Sequence, residues 1–301
     1  MLRPSGVLSL SGVGLRDQRF RVSAFMVAIG LSRASLAERR FGEEFIVAIP
    51  RLKAPLVLVH GFLGYDRIQV GRFVIREYFR GIDRFLKTAG NRVYVPRLSP
   101  TRGIAERAAQ LRAYLDQHLP HESVHLIAHS MGGLDARHMV THLGMASRVL
   151  SLTTIGTPHR GSTFATWLLE KLEPWAAPIA RWLGIHYEGA KDLTPAACSV
   201  FNAVTPDVPR VRYFSVAGHC DGPWLTLRWR LPHALVSRYE GPNDGVVSIS
   251  SATWGERTDV WDGDHLNLIN SPNPSAMRRG LWTDRTAHYA RLVQRLADYG
   301  F

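Results

Sequence analysis

In Ser123-Val124-His125-Leu126-Ile127-Ala128-His129-Ser130-Met131-Gly132-Gly133 a strand, a sharp turn and a helix follow one another without spare residues. Val124 to Ala128 has the short, mostly apolar pattern of a buried strand, and the residues after Ser130 are helical in character to about Leu143. Between them, the positions two before and two after the serine, Ala128 and Gly132, are small. Small residues there let the strand and helix backbones approach closely, so that the serine stands out from a strained turn. Ala128 takes a place where glycine is usual in such an elbow, and one methyl group is tolerable. The serine also emerges beside the unpaired N–H groups and the positive dipole end of the helix. A plain helix N-cap serine would not need small neighbours on both sides, which favours Ser130 as a nucleophile.

Outward from the elbow, strands and helices alternate. Phe45 to Ile49, Pro55 to Val59, Val93 to Val95, Val149 to Ile155, Val211 to Ala217, Gly245 to Ile249 and Thr258 to Trp261 have strand patterns. Phe73 to Thr88, Thr101 to Leu119 and Thr283 to Tyr299 carry helical apolar stripes. This alternation predicts a mostly parallel sheet covered by helices on both faces. Residues 162–207 break the rhythm. They contain Phe164, Trp167, Trp175 and Trp182 with no strand signal, and read either as an inserted helical cap or lid or as extra core helices.

At 301 residues the chain suits one α/β domain with insertions, about 44–301. Its net charge of +12 is carried almost wholly by arginine and is spread along the chain. That fits either a global arginine bias or attraction to an anionic lipid surface, at about 1 kcal/mol per basic group near it. No nucleic-acid-binding module accompanies the charge. Cys198 and Cys220 can form at most one disulfide, and two buried thiols are the simpler expectation. No apolar run reaches the length of a membrane span. Residues 1–43, which carry Arg3, Arg16, Arg19, Arg21 and Arg33 and the apolar stretch Phe25 to Leu31, fit an N-terminal arm, a targeting segment or an early start codon. Location, cytoplasmic or secreted, is therefore open, as is oligomeric state.

A serine hydroxyl needs a base and an oxyanion site. His60-Gly61-Phe62-Leu63-Gly64 follows a strand, and its glycine-lined turn can aim the Phe62 N–H at the spot reached by the Met131 N–H. Two such donors make an oxyanion hole, each worth about 3 kcal/mol in the transition state. In sheet proteins with this elbow the chain order is serine, acid, histidine. Of the thirteen histidines that excludes His60, His118, His121, His125 and His129, and the candidates after residue 210 are His219, His233, His265 and His288. His288 falls on the terminal helix, whereas His265 lies in a loop after the last strand and is the candidate base. Asp244, in the turn Pro242 to Val247, is the candidate orienting acid. Asp221, Asp262 and Asp264 are rivals that read more simply as turn or loop caps.

Val59-His60-Gly61-Phe62-Leu63-Gly64, Ala128 to Gly133, Gly156-Thr157-Pro158-His159-Arg160-Gly161-Ser162, Asn243 to Val247 and Asp264-His265-Leu266-Asn267 together resemble bacterial triacylglycerol lipases, in that family's order. The resemblance implies the α/β-hydrolase fold, a triad of Ser130, Asp244 and His265, oxyanion donors at Phe62 and Met131, and a helical lid after Ser162. It implies hydrolysis of hydrophobic carboxylic esters without a cofactor. In many such lipases an aspartate two residues after the catalytic histidine binds a structural calcium. Asn267 stands there in this chain, and a neutral amide is a weaker ligand for that cation. The alternatives are acyl transfer by the same triad and a non-catalytic lipid- or partner-binding protein of the same fold.

Overall fold

Leu56 and Leu58 point to one face of a central sheet and Val57 and Val59 to the other, and all four are fully buried. A strand buried on both faces, with successive side chains alternating between two cores, requires a layer of helices on each side. The computed structural model describes residues 49–64, 67–70, 73–171 and 188–301. The sheet is formed by β1 (Leu56–Val59), β4 (Val93–Tyr94), β5 (Val124–His129), β6 (Val149–Ile155), β7 (Arg212–His219) and β8 (Arg257–Asp262). Its order is β4-β1-β5-β6-β7-β8, with every pairing parallel. β2 (Arg67–Val70) and β3 (Phe73–Glu77) pair separately as an antiparallel ribbon.

The two faces are closed by different helices. Leu56, Leu58, Ile127 and Phe214 pack with Ile82 and Leu86 of α1 (Ile82–Thr88) and with Tyr289, Leu292 and Leu296 of a C-terminal helix over Thr286–Asp298. Val57, Val59, Leu126 and Leu152 pack with Leu111 and Leu115 of α2 (Ile104–His118) and with Met139 and Val140 of α3 (Met131–His142). The remaining helices are α4 (Glu188–Asp192), α5 (Pro195–Val204), α6 (Arg230–Glu240), α7 (Ile249–Ala252) and α8 (Pro274–Arg278), with the C-terminal helix as α9. Residues 163–171 are also helical. Among the described residues none of these helices is long and apolar enough to cross a membrane.

Most of the expected strands and helices are found within a few residues of their predicted bounds. Two are not. The helix expected over Phe73–Thr88 is divided: the part with the β-branched pair Val74-Ile75 is β3, and α1 starts only after Gly81, whose φ is 69°. The strand expected over Gly245–Ile249 is a turn. Asp244 Oδ1 accepts from the N–H groups of Val246 and Val247, which curls the chain, and Ser248 then caps α7 by accepting from Ser251 N. Of the strand expected over Phe45–Ile49, all but Ile49 falls outside the described residues, as do residues 1–43, Trp175 and Trp182. The described part of the insertion is helical without a strand, and Cys198 and Cys220 are buried free thiols.

Within the sheet, His125 of β5 is fully buried, with Nδ1 bonded to Ser151 Oγ at 2.8 Å. Burial lowers its pKa from 6.5 to about 4. Above pH 6.5 the imidazole is neutral in both the folded and unfolded chain. As pH falls toward 4 the unfolded chain takes up a proton that the native state refuses, so stability is progressively lost. The loss is expected to grow to an order of 3 kcal/mol. Urea unfolding of wild type and His125→Gln between about pH 7 and pH 4 checks it: the wild type should weaken relative to the variant as pH drops. Parallel pH profiles for the two proteins would contradict it.

Candidate active site

Ser130 sits where β5 ends and α3 begins, at φ 55° and ψ −130°. This backbone is costly for a residue with a Cβ, on the order of 1–3 kcal/mol, and the surroundings hold it there. Ser130 N donates to Ile155 O at 2.9 Å, and Ser130 O accepts from Thr157 Oγ1 at 2.7 Å and from Gly133 N at 3.1 Å. The small residues are required on both sides. A Cβ on Gly132 would stand 2.8 Å from His60 O, and one on Gly61 would stand 2.6 Å from Ser130 Cβ. Ala128 is fully buried, its methyl packed in the core shared by α2 and α3.

His265 and Asp244 come to the serine from distant loops. His265 Nε2 lies 3.1 Å from Ser130 Oγ, and His265 Nδ1 lies 2.6 Å from Asp244 Oδ2. All three residues are buried, Asp244 completely. Because Asp244 is a carboxylate, Nδ1 carries the proton and donates to it, leaving Nε2 as the acceptor that faces the serine. The other Asp244 oxygen accepts two backbone N–H bonds, and His265 N donates to Asp244 O at 2.8 Å. The loop rivals take other roles. Asp221 caps a single 3-10 turn, Asp262 is exposed at the end of β8, and Asp264 Oδ1 accepts from Leu266 and Asn267 N–H. His288 lies on α9, with burial lowering its pKa to about 4.

On the opposite side of Ser130, the loop after β1 turns at Leu63, whose φ is 54° and whose N–H donates to Pro100 O. The Phe62 N–H and the Met131 N–H have no acceptor among the described residues. His60 has a structural role. Its Nδ1 donates to Gly61 O at 3.0 Å and its Nε2 accepts from Leu98 N at 3.0 Å. Arg107, fully buried and paired with Asp135 at 2.8 Å, donates to His60 O and Ser99 O and so clamps the same loop.

Several residues of the site carried no sequence signal of their role. Gly156 (φ 56°) lies under the acid and base, where a Cβ would meet Asp244 Oδ2 at 3.1 Å and His265 Nδ1 at 3.2 Å. A Cβ on Gly218 would stand 2.6 Å from Asp244 Cβ. His129 Nε2 donates to His265 O at 3.0 Å, so its Nδ1 must accept from Tyr78 OH at 2.8 Å, and that oxygen in turn accepts from Gly61 N. Burial holds His129 neutral, which this bonding pattern requires. The oxyanion-side loop and the base-bearing loop are thereby joined behind the nucleophile. Gly156 and Thr157 belong to the Gly-Thr-Pro-His stretch, the one motif that could have pointed to them.

Ser130 and His265 open on a cavity of about 1050 Å³. Phe62, Phe164, Leu168, Leu193, Trp229, Val246 and Val247 make much of its wall apolar, and Glu77, Arg80 and Arg84 also line it. Phe164 and Leu168 come from the helical insertion, which therefore forms part of the cavity wall. A buried serine hydroxyl, an imidazole oriented by a carboxylate and two N–H groups without an acceptor among the described residues, beside a largely apolar cavity, can carry out acyl transfer.

Comparison with known proteins shows what the chain is similar to. A model described as a PGAP1-like alpha/beta domain matches residues 107–171. Triacylglycerol lipase 2 of Saccharomyces cerevisiae is 37% identical over 212 residues, covering 65% of this chain and 63% of that protein. Triacylglycerol lipase of Burkholderia plantarii is 39% identical over 172 residues, covering 53% of this chain and 46% of that protein. The matches thus span less than two thirds of either relative's length. The crystal structure of Staphylococcus hyicus lipase superposes with a TM-score of 0.66 at 19% identity, covering 82% of this chain and 96% of that one. The chain has the α/β-hydrolase fold, and its similarity runs to lipases and esterases.

Proposed function

We propose that this α/β-hydrolase cleaves hydrophobic carboxylic esters, acylglycerols among them, through an acyl-enzyme on Ser130. One observation carries the reading: Ser130 Oγ, His265 and Asp244 form a continuous chain at 3.1 and 2.6 Å on the wall of a largely apolar cavity. In the first half-reaction His265 Nε2 takes the Ser130 proton as Oγ bonds to the ester carbonyl carbon. The Phe62 and Met131 N–H groups receive the negative charge that develops on the carbonyl oxygen. His265, its cation stabilised by Asp244, then protonates the departing alcohol. A water molecule, deprotonated by the same nitrogen, releases the carboxylic acid and restores Ser130.

Helical residues 163–171 cover part of the acyl site through Phe164 and Leu168, and no cofactor enters these steps. Replacing the water by a second alcohol would turn the same steps into acyl transfer. Hydrolysis of p-nitrophenyl butyrate and palmitate, with triolein emulsion alongside, tests the proposal. The apolar wall predicts that palmitate is accepted with kcat/KM within about tenfold of butyrate, a difference of about 1.4 kcal/mol. A folded wild type that leaves all three esters intact would overturn it.

A further inference from the structure

We infer that the guanidinium of Arg285 is the built-in cation that holds the loop carrying His265, so that this loop needs no divalent metal. The inference rests on the reading of His265 as the base, and deepens it by assigning a positioning residue. Arg285 is only 4% exposed although it is the last residue before α9. Its Nε donates to Asn267 Oδ1 at 2.8 Å. Its Nη2 donates to the same oxygen and to Asp262 O, and its backbone N donates to Asn270 Oδ1 at 2.6 Å. One residue thus spans the loop from three positions before His265 to five after it. The ring of Trp224 stacks on the guanidinium, with 5.1 Å between the guanidinium carbon and the ring centroid. Gly263 completes the cradle, because a Cβ there would stand 2.5 Å from Arg285 Nη2.

The donor set around Asn267 suits this cation and does not suit calcium. A calcium ion takes six to eight oxygen ligands, carboxylates among them. Here Asp264, the nearest buried carboxylate, is already engaged. Its Oδ1 accepts from two backbone N–H groups and its Oδ2 accepts from Asn273 Nδ2 at 2.6 Å, with Arg228 at 3.8 Å. The Asn267 oxygen faces Arg285, and its Nδ2 donates to the carbonyls of Ser271 and Thr283. Oxygens that a metal would use are therefore taken up by N–H groups. Among the described residues no cluster of three His, Cys, Asp or Glu side chains could hold a metal. A planar group with five N–H donors fits such a ring of acceptors, and it stays charged: burial lowers its pKa only to about 10.

Melting curves of wild type and Ser130→Ala, each with excess EDTA or excess calcium chloride, read the metal question without any turnover. Both proteins should melt at the same temperature in either solution. A rise with calcium that EDTA reverses would overturn the inference. Kinetics of Arg285→Lys and Arg285→Met on p-nitrophenyl butyrate read the positioning role. Arg285→Met should lower kcat by about 10- to 100-fold, the cost of a small misplacement of the base, with KM changed by less than about threefold. Arg285→Lys should keep part of the activity, and free guanidinium at a non-denaturing concentration should restore part of it to Arg285→Met. Full kcat in Arg285→Met, or a loss confined to KM, would refute the positioning role. If Arg285→Met does not fold, the melting arm and Arg285→Lys decide the matter. Wild type inactive on the ester but indifferent to metal would overturn the proposed function and leave the metal inference standing.

Discussion

Ser130→Ala is expected to lower kcat for ester hydrolysis by about 10⁶-fold while leaving the fold in place. The size follows from what the hydroxyl does in the site. It supplies the atom that bonds to substrate, and among the described residues no other hydroxyl is hydrogen-bonded to His265 Nε2. What survives is transition-state binding by the Phe62 and Met131 N–H groups, which leaves a residual rate about 10³- to 10⁴-fold above water. The fold should tolerate the change because Ser130 is held through its backbone. Its N–H and C=O keep their bonds to Ile155, Gly133 and Thr157, and alanine occupies the φ of 55° no worse than serine does. Only one side-chain hydrogen bond is lost, about 1 kcal/mol. Steady-state kinetics and a urea melt of the same preparation check both halves, and activity within tenfold of wild type would mean that another nucleophile is at work.

Asp244→Asn should cost about 10⁴-fold in kcat, through the tautomer of His265 rather than through unfolding. Asp244 Oδ1 accepts from Val246 and Val247 N–H, so the oxygen of an asparagine amide is drawn to that side. Its NH2 then faces His265 Nδ1 across what is now 2.6 Å. Nδ1 becomes an acceptor, the proton moves to Nε2, and Nε2 can no longer take the Ser130 proton. Stability should change little because both backbone bonds of the turn remain. Kinetics of the variant against wild type, with circular dichroism to confirm the fold, provide the check. A loss of tenfold or less would show that Asp244 is not what orients the base.

The sheet and the elbow were legible because each is written in local periodicity. β5, β6 and α3 lie within a residue or two of where apolar runs and small neighbours place them. Ser130, Asp244 and His265, brought together in space, could be selected because chain order leaves few candidates after residue 210. What was not legible depends on contacts between distant segments. The turn at Gly245–Ile249 has a strand's composition, but the Asp244 side chain captures its N–H groups. Gly156 and Gly218 look like ordinary glycines until the acid and base are packed against them. Arg285 lies 20 residues beyond His265 at the head of an amphipathic helix, where an arginine normally reads as solvent-facing. Burial beneath Trp224 and the bonds to Asn267 are what give it another role.

The cavity at Ser130 is lined by the apolar Phe164, Leu168 and Val246 and also by the charged Glu77, Arg80 and Arg84. On the proposed function, a long acyl chain would lie against Phe164, Leu168 and Val246.

The central claim is that Ser130 becomes covalently acylated, and labelling with an alkyl fluorophosphonate tests it most directly. Intact-mass measurement of wild type should show one phosphonyl group added per chain, with peptide mapping placing it on Ser130. Ser130→Ala should stay unlabelled, and Asp244→Asn should label far more slowly than wild type. A wild-type protein that takes up no label while folded, or a label found on any other residue, would contradict the account.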